Sequence, residues 1–213
     1  RAGAKSGNLH YVKIPHAAAY TPQDRPAGSW TPCTTATAAK FTAAGYFFAE
    51  MLNDVLGVPV GIIDCSWGGS RVESWMSREV LSGYSDIDLT EEGISRVAQH
   101  LRPMVMYNAM LRPVAGYTVR GFLWYQGESN RPNPTQYRAL MPAFVKMLRE
   151  RWAQGGLPFY YVQIAPYRYD GPDAISGALL REAQLHNLKD IPSSGMAVTL
   201  DIGDEGCIHP AKK

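Results

Sequence analysis

The chain has 213 residues, 46% of them hydrophobic and 19% charged, enough to bury a sizeable core without disulfide support. A formal net charge of +2, with no run of lysine or arginine, argues against a nucleic-acid face. Mean hydropathy is −0.21, and no apolar stretch approaches the roughly 20 residues of a spanning helix, which argues against a membrane protein.

The opening RAGAKSGNLHYVK lacks the apolar core of a signal peptide, as a mature secreted chain also would. Residues 1–34 are rich in Pro, Ser and Thr, with one strand expected at Leu9 to Ile14. From Ala38 to Leu56, Phe41, Ala44, Gly45, Phe48, Met51, Leu52 and Val55 recur at helical spacing, and Gly57 is placed to cap that helix. VPVGIIDCS (58–66) reads as a buried strand, followed by the loop WGGSRVESW and a poorly patterned stretch to Leu101.

Pro103 opens a short helix, and TVRGFLWYQ (118–126) is a second buried strand. A long helix is expected over 135–153, with Thr135 as N-cap and Gly155–Gly156 closing it. Strand 159–166, helix 174–188 and strand 195–203 complete the pattern. Strands that are apolar throughout and alternate with helices predict an α/β fold: one three-layer α/β/α sandwich around a parallel sheet.

In such sheets ligands bind beyond the carboxyl ends of the strands, so polar loops there are the places to look for chemistry. Three strands end in DCSWGGS (64–70), QGESN (126–130) and DIGDEGCIHP (201–210). Ser66 follows a strand and precedes Gly68 and Gly69, whose N–H groups can face a ligand. Asp64, however, stands where a nucleophile elbow needs glycine, and a plain strand-ending serine fits as well. His209 alone among five histidines follows a strand end in a Gly- and acid-rich loop, a position suited to proton transfer with a hydroxyl nucleophile. Glu128 is either a solvated turn carboxylate or the group that orients His209. Asp204 and Glu205 compete for that role, and Gln126 is placed to offer an amide N–H to an oxyanion. Cys33, Cys65 and Cys207 are widely spaced and odd in number, which fits neither a C-x-x-C metal pair nor a disulfide framework.

Several motifs coincide. GVPVGIIDCSWGGSRVESW, VRGFLWYQGESNRPNPTQYRALMPAFVKMLRERW, PFYYVQIAPYRYDGP, ISGALLREAQL and MAVTLDIGDEGCIHPAKK together closely resemble the sialate O-acetylesterase family, a group of SGNH-type carbohydrate esterases. The resemblance implies a flavodoxin-like SGNH-hydrolase fold and a hydrolase that removes O-acetyl groups from sugars, chiefly sialic acids, without a metal or other cofactor. It matches His209 to the catalytic base and Glu128 to a carboxylate working beside it. Gln126, Gly68 and Gly69 match ligand-facing blocks where an oxyanion hole is expected.

The family's nucleophilic serine lies in a GQSN block, and this sequence has none. The chain therefore reads as a single esterase domain over 1–213, incomplete at both ends. A second chain or an upstream segment is expected to bring a strand between Val58–Ser66 and Thr118–Gln126, together with the serine; Ser66 serves only if the chain is self-sufficient. The alternatives are an acetylxylan or other polysaccharide acetylesterase and a non-catalytic carbohydrate-binding fragment. The resemblance further implies a secreted, periplasmic or lysosomal setting, an O-acetylated sugar as partner, and neither nucleic acid nor membrane.

Overall fold

The computed structural model describes residues 8–171 and 174–210. They form two compact units, one built on the residues up to Ala17 with Asp24–Trp67, the other on Ala18–Gln23 with the chain from Gly68 onward.

In the first unit, β1 (Leu9–Lys13) pairs antiparallel with β2 (Thr31–Pro32) and parallel with β3 (Val60–Asp64), Tyr11 standing beside Ile62. Leu9 and Tyr11 point to one side, as alternate strand residues must. There they meet Phe41, Tyr46 and Ala49, and the Tyr11 and Phe41 rings stack 4.4 Å apart. Helix α1 (Ala43–Leu56) starts later than its periodicity predicts. Ala38–Lys40 is a separate 3-10 turn, and extended Phe41 (φ −76°, ψ 148°) breaks the path between the two. Gly57 caps α1 as expected, in the left-handed region at φ 67° with its N–H on Asn53 O.

The buried face of α1 differs from the expected one. Gly45, Tyr46 and Ala49 are buried, whereas Met51 and Val55 are 64% and 71% exposed. The stretch AAGYFFA is apolar nearly all round, so helical spacing alone does not select which stripe meets the sheet.

In the second unit, β4 (Phe122–Trp124), β5 (Phe159–Val162) and β6 (Ser194–Ala197) form a parallel sheet in that order. Register sets Phe122 beside Phe159 and Trp124 beside Tyr161 on one face. Helices α2 (Arg78–Leu81) and α3 (Glu91–Ser95), both in the stretch that lacked pattern, are short and capped by Ser77 and Thr90. In place of the helix expected after Pro103 stand a π-type turn, Tyr107–Leu111, and a 3-10 turn, Arg112–Val114.

The long α4 (Pro134–Trp152) is capped by Asn133 rather than Thr135. Proline at the first helical position gives up no needed N–H, and the Asn133 carboxamide oxygen accepts from Gln136 N at 3.3 Å. At its far end Ala153, not the glycine pair, adopts the left-handed cap at φ 52°. Helix α4 packs on the aromatic face: Trp124 lies 4.6 Å from Phe144 and Phe122 lies 5.0 Å from Trp152, ring centre to ring centre. Helix α5 (Ser176–Asp190) joins it there, with the Tyr161 hydroxyl donating to Gln184 O at 2.7 Å.

The fold class is that read from the sequence, α/β with parallel strand pairing. Two details differ. The described strands pair in two three-stranded sheets, β2-β1-β3 and β4-β5-β6, rather than one. On β4 and β5, the alternate residues Leu123 and Tyr160 are 43% and 46% exposed, so this sheet buries one face more deeply than the other.

Gly127, where β4 runs into its loop, sets how closely that loop approaches α5. A methyl group there would stand 2.6 Å from Ile164 Cγ2 and 3.1 Å from Leu180 Cδ2. Gly127→Ala should therefore destabilise the protein by about 1–3 kcal/mol, read as a lower urea midpoint. An unchanged midpoint would show that the approach is looser than described.

Candidate active site

Within the second unit, the loops after β4, β5 and β6 and the turn at Gly68–Ser70 are tied together by named bonds. The Gln126–Asn130 loop carries the hub. Asn130, 3% exposed, accepts from Val72 N at 3.0 Å and from Gln126 Nε2 at 2.7 Å. Its own Nδ2 donates to Glu73 Oε2 at 2.7 Å. Gln126 Nε2 also donates to Ser70 O at 2.9 Å, and Ser129 Oγ donates to Gly69 O at 2.6 Å. The Gly68–Gly69 turn is thereby clipped to the turn that bears Glu128.

Gly69 holds a left-handed φ of 76°, and an added Cβ on Gly68 would meet no atom within 4 Å. The N–H groups of both glycines are uncommitted among the described residues, as an anion-binding turn requires. Gln126 is placed differently from the sequence expectation. Both hydrogens of its buried amide are occupied, by Ser70 O and Asn130 Oδ1, so neither is offered to an oxyanion in this arrangement. Its role here is to clip two loops together.

Glu128 opens a 3-10 turn, Glu128–Asn130, and is half-buried. Its carboxylate has no hydrogen bond or ion pair among the described residues. Burial, with added repulsion from Glu128, pushes the Tyr125 hydroxyl up to about 12. Tyr169 is raised by the same two causes in the same order, with Arg131 and Arg181 opposing.

The two competing acids are spent on local structure. Asp204 Oδ1 accepts from Gly206 N at 2.7 Å and Cys207 N at 3.2 Å, closing the turn of its own loop. Glu205 pairs with Arg168 at 2.6 Å, and Arg168 N donates to Glu205 O at 2.9 Å, which binds the 201–210 loop to the 166–171 loop. His209 lies on that tethered loop and is exposed. No hydrogen bond joins it to Glu128.

Ser66 belongs to the first unit. Its hydroxyl donates to Asp64 Oδ1 at 2.6 Å, and the Tyr11 hydroxyl holds Asp64 Oδ2 at 2.5 Å. The imidazole of His16 in the same unit is stacked on Trp67, 4.5 Å between ring centres. No imidazole accepts the Ser66 proton among the described residues, so Ser66 lacks the base that activates a serine.

The sequence reading overlooked Asn130, Glu73, Ser70 and Arg131. Their signal was present, since GSRVESW and GESNR place polar residues in loops that follow strands, but which of them pair is set by the fold alone.

The sequence profile described as carbohydrate esterase, sialic acid-specific acetylesterase, matches residues 14–209. Human sialate O-acetylesterase is 30% identical over 192 residues, covering 81% of this chain and 36% of that protein. The mouse protein of the same name is 26% identical over 215 residues, covering 81% of this chain and 40% of its own length. The chain thus spans well under half of these relatives. The crystal structure of a carbohydrate acetylesterase from Xanthomonas citri superposes with a TM-score of 0.87 at 36% identity, over 98% of this chain and 46% of that one. A protein from Arabidopsis thaliana shares the fold at a TM-score of 0.53 and 20% identity. A profile match across nearly the whole chain, with 30% identity to a curated relative, places this chain in the sialic acid-specific acetylesterase family of carbohydrate esterases.

Proposed function

We propose that this chain carries the base and the acid of a serine-type esterase that removes O-acetyl groups from sugars, with O-acetylated sialic acids as its substrates. The observation that carries this reading is the clip between the Gly68–Ser70 turn and the Gln126–Asn130 loop, which sets two uncommitted N–H groups and an unpaired carboxylate on joined loops.

The chemistry is a two-step acyl transfer. A serine oxygen attacks the acetyl carbonyl while His209 takes the serine proton. The carbonyl electrons move onto oxygen, facing the Gly68 and Gly69 N–H groups, and return as the sugar oxygen leaves with the proton from His209. Water then attacks the acetyl-enzyme, giving up its proton to His209, and acetate departs as the proton returns to serine.

Glu128 is the acid assigned to steady the charged imidazole, because Asp204 and Glu205 are engaged within their own loop. Approach of Glu128 and His209 on substrate binding is part of the proposal, since catalytic hydrogen bonds often tighten only in the loaded site. The serine comes from a segment outside these residues. Ser66, bonded to Asp64, is poorly placed for the task. A secreted, periplasmic or lysosomal setting goes with substrates of this kind.

A broader reading, acetylated carbohydrates other than sialic acids, draws support from the 36% identity to the Xanthomonas carbohydrate acetylesterase, which exceeds the identity to the sialate enzymes; acetylated xylan is the test case. Acetate release from O-acetylated sialic acid and from acetylated xylan separates the two. The proposal expects the sialic acid to be the better substrate by kcat/KM, and a preference for xylan would replace it with the broader reading.

In the full-length protein, His209→Ala should lower kcat by about 100- to 10,000-fold with an unchanged circular dichroism spectrum. Full activity in that variant would remove His209 from the mechanism. Glu128→Gln should lower kcat while Asp204→Asn mainly lowers stability. The reverse pattern would transfer the orienting role to Asp204.

A further inference from the structure

Beside the Glu128 turn, two guanidinium groups converge on one tyrosine. Arg131 lies over the ring of Tyr169, with Cζ 4.0 Å from the ring centre. It donates to Asp170 Oδ1 at 3.1 Å, its side chain is 16% exposed, and its Nε is buried with no acceptor. Arg181, in the second turn of α5, approaches the same ring from the helix. A Cβ added to Gly177 would stand 3.0 Å from Tyr169 Cδ2 and 3.5 Å from Arg181 Nη1, so the bare glycine leaves the space the two side chains share.

Arg181 is half-buried, and its guanidinium has no hydrogen bond or ion pair among the described residues. Asp170 is already engaged through both oxygens, Oδ1 with Arg131 and Oδ2 with the Ser176 hydroxyl at 2.5 Å. A cation drawn partly out of water without a counter-ion is costly unless something supplies the negative charge. Tyr167, edge-on to Tyr169 at 5.0 Å, adds a second ring to the same loop.

We propose that Arg181, with Arg131 stacked on Tyr169 beside it, forms a carboxylate-binding subsite that selects acidic sugars over neutral ones. A guanidinium fork matches a carboxylate through two parallel N–H···O bonds, and the tyrosine rings offer the apolar faces of a sugar a surface. Arg181 reaches the ring from α5, so the ligand's carboxylate is held at the helix end of the subsite. The subsite rests on the esterase reading only in calling its ligand a substrate.

The test is binding of N-acetylneuraminic acid and of its methyl ester to the full-length protein, measured by titration calorimetry. The unaltered protein should bind the acid about tenfold to a hundredfold more tightly than the ester. Arg181→Gln should bring that ratio close to one, and Arg181→Lys, which keeps the charge and loses the fork, should retain part of it. Equal binding of acid and ester by the unaltered protein, or a ratio undiminished in Arg181→Gln, overturns the proposal. Acetate release from neutral acetylated sugars, run in parallel, keeps the two ideas apart. Hydrolysis without acid preference removes the subsite and leaves the esterase, whereas acid preference without hydrolysis of any ester leaves the subsite and removes the esterase.

Discussion

The buried carboxamide of Asn130 holds the candidate site together. It receives the N–H of Val72 and the amide of Gln126, and it donates to the carboxylate of Glu73, all out of water. Each of these groups, left without its partner, costs about 1–3 kcal/mol, a large share of a total stability of about 5–15 kcal/mol. The turn at Gly68–Ser70 and the loop after β4 are therefore coupled. Helix α5 joins the same arrangement, because Gln184 donates to Gln126 O at 3.2 Å and accepts from Ile164 N at 2.9 Å. The main chain on both sides of Glu128 is fixed by side chains that carry no chemistry themselves.

Charge is distributed unevenly over this frame. Asp204, Glu205 and Asp170 are engaged with backbone N–H groups, Arg168 and Arg131 respectively. Glu128 and Arg181 are the half-buried charges near Tyr169 that lack a partner among the described residues. Opposite charges without a partner, Glu128 on the loop after β4 and Arg181 on α5, suit a substrate that presents both an ester and a carboxylate. In the proposed reading the acid serves the reacting end and the guanidinium the recognition end.

Much of this was legible in the sequence, and the exceptions have physical causes. Strand ends are marked by polar residues that a core does not tolerate, so QGESN and the 201–210 loop stand out in the sequence itself. Gly57 announced its cap because glycine takes the left-handed conformation after a helix without a Cβ penalty. The stripe of α1 did not show, since a helix apolar on most sides carries no preference for one. Asn133 caps α4 in place of Thr135 because Pro134, with its fixed φ and missing N–H, suits the first helical position and opens the helix earlier. Gln126 was assigned to the ligand, and its two hydrogens turned out to be used by Ser70 and Asn130. The bond to Ser70 joins residues 56 apart in sequence, which no local pattern records. For the same reason the meeting of Arg131, Tyr169 and Arg181 left no trace in spacing.

The central claim is that His209 and Glu128 act on a serine supplied from outside these residues. The most direct measurement is to label the full-length protein with a fluorophosphonate, which modifies activated serines, and to locate the label by peptide mass spectrometry. The account predicts one labelled serine outside residues 1–213, with labelling lost in His209→Ala. Label on Ser66, or labelling that persists without His209, would contradict it.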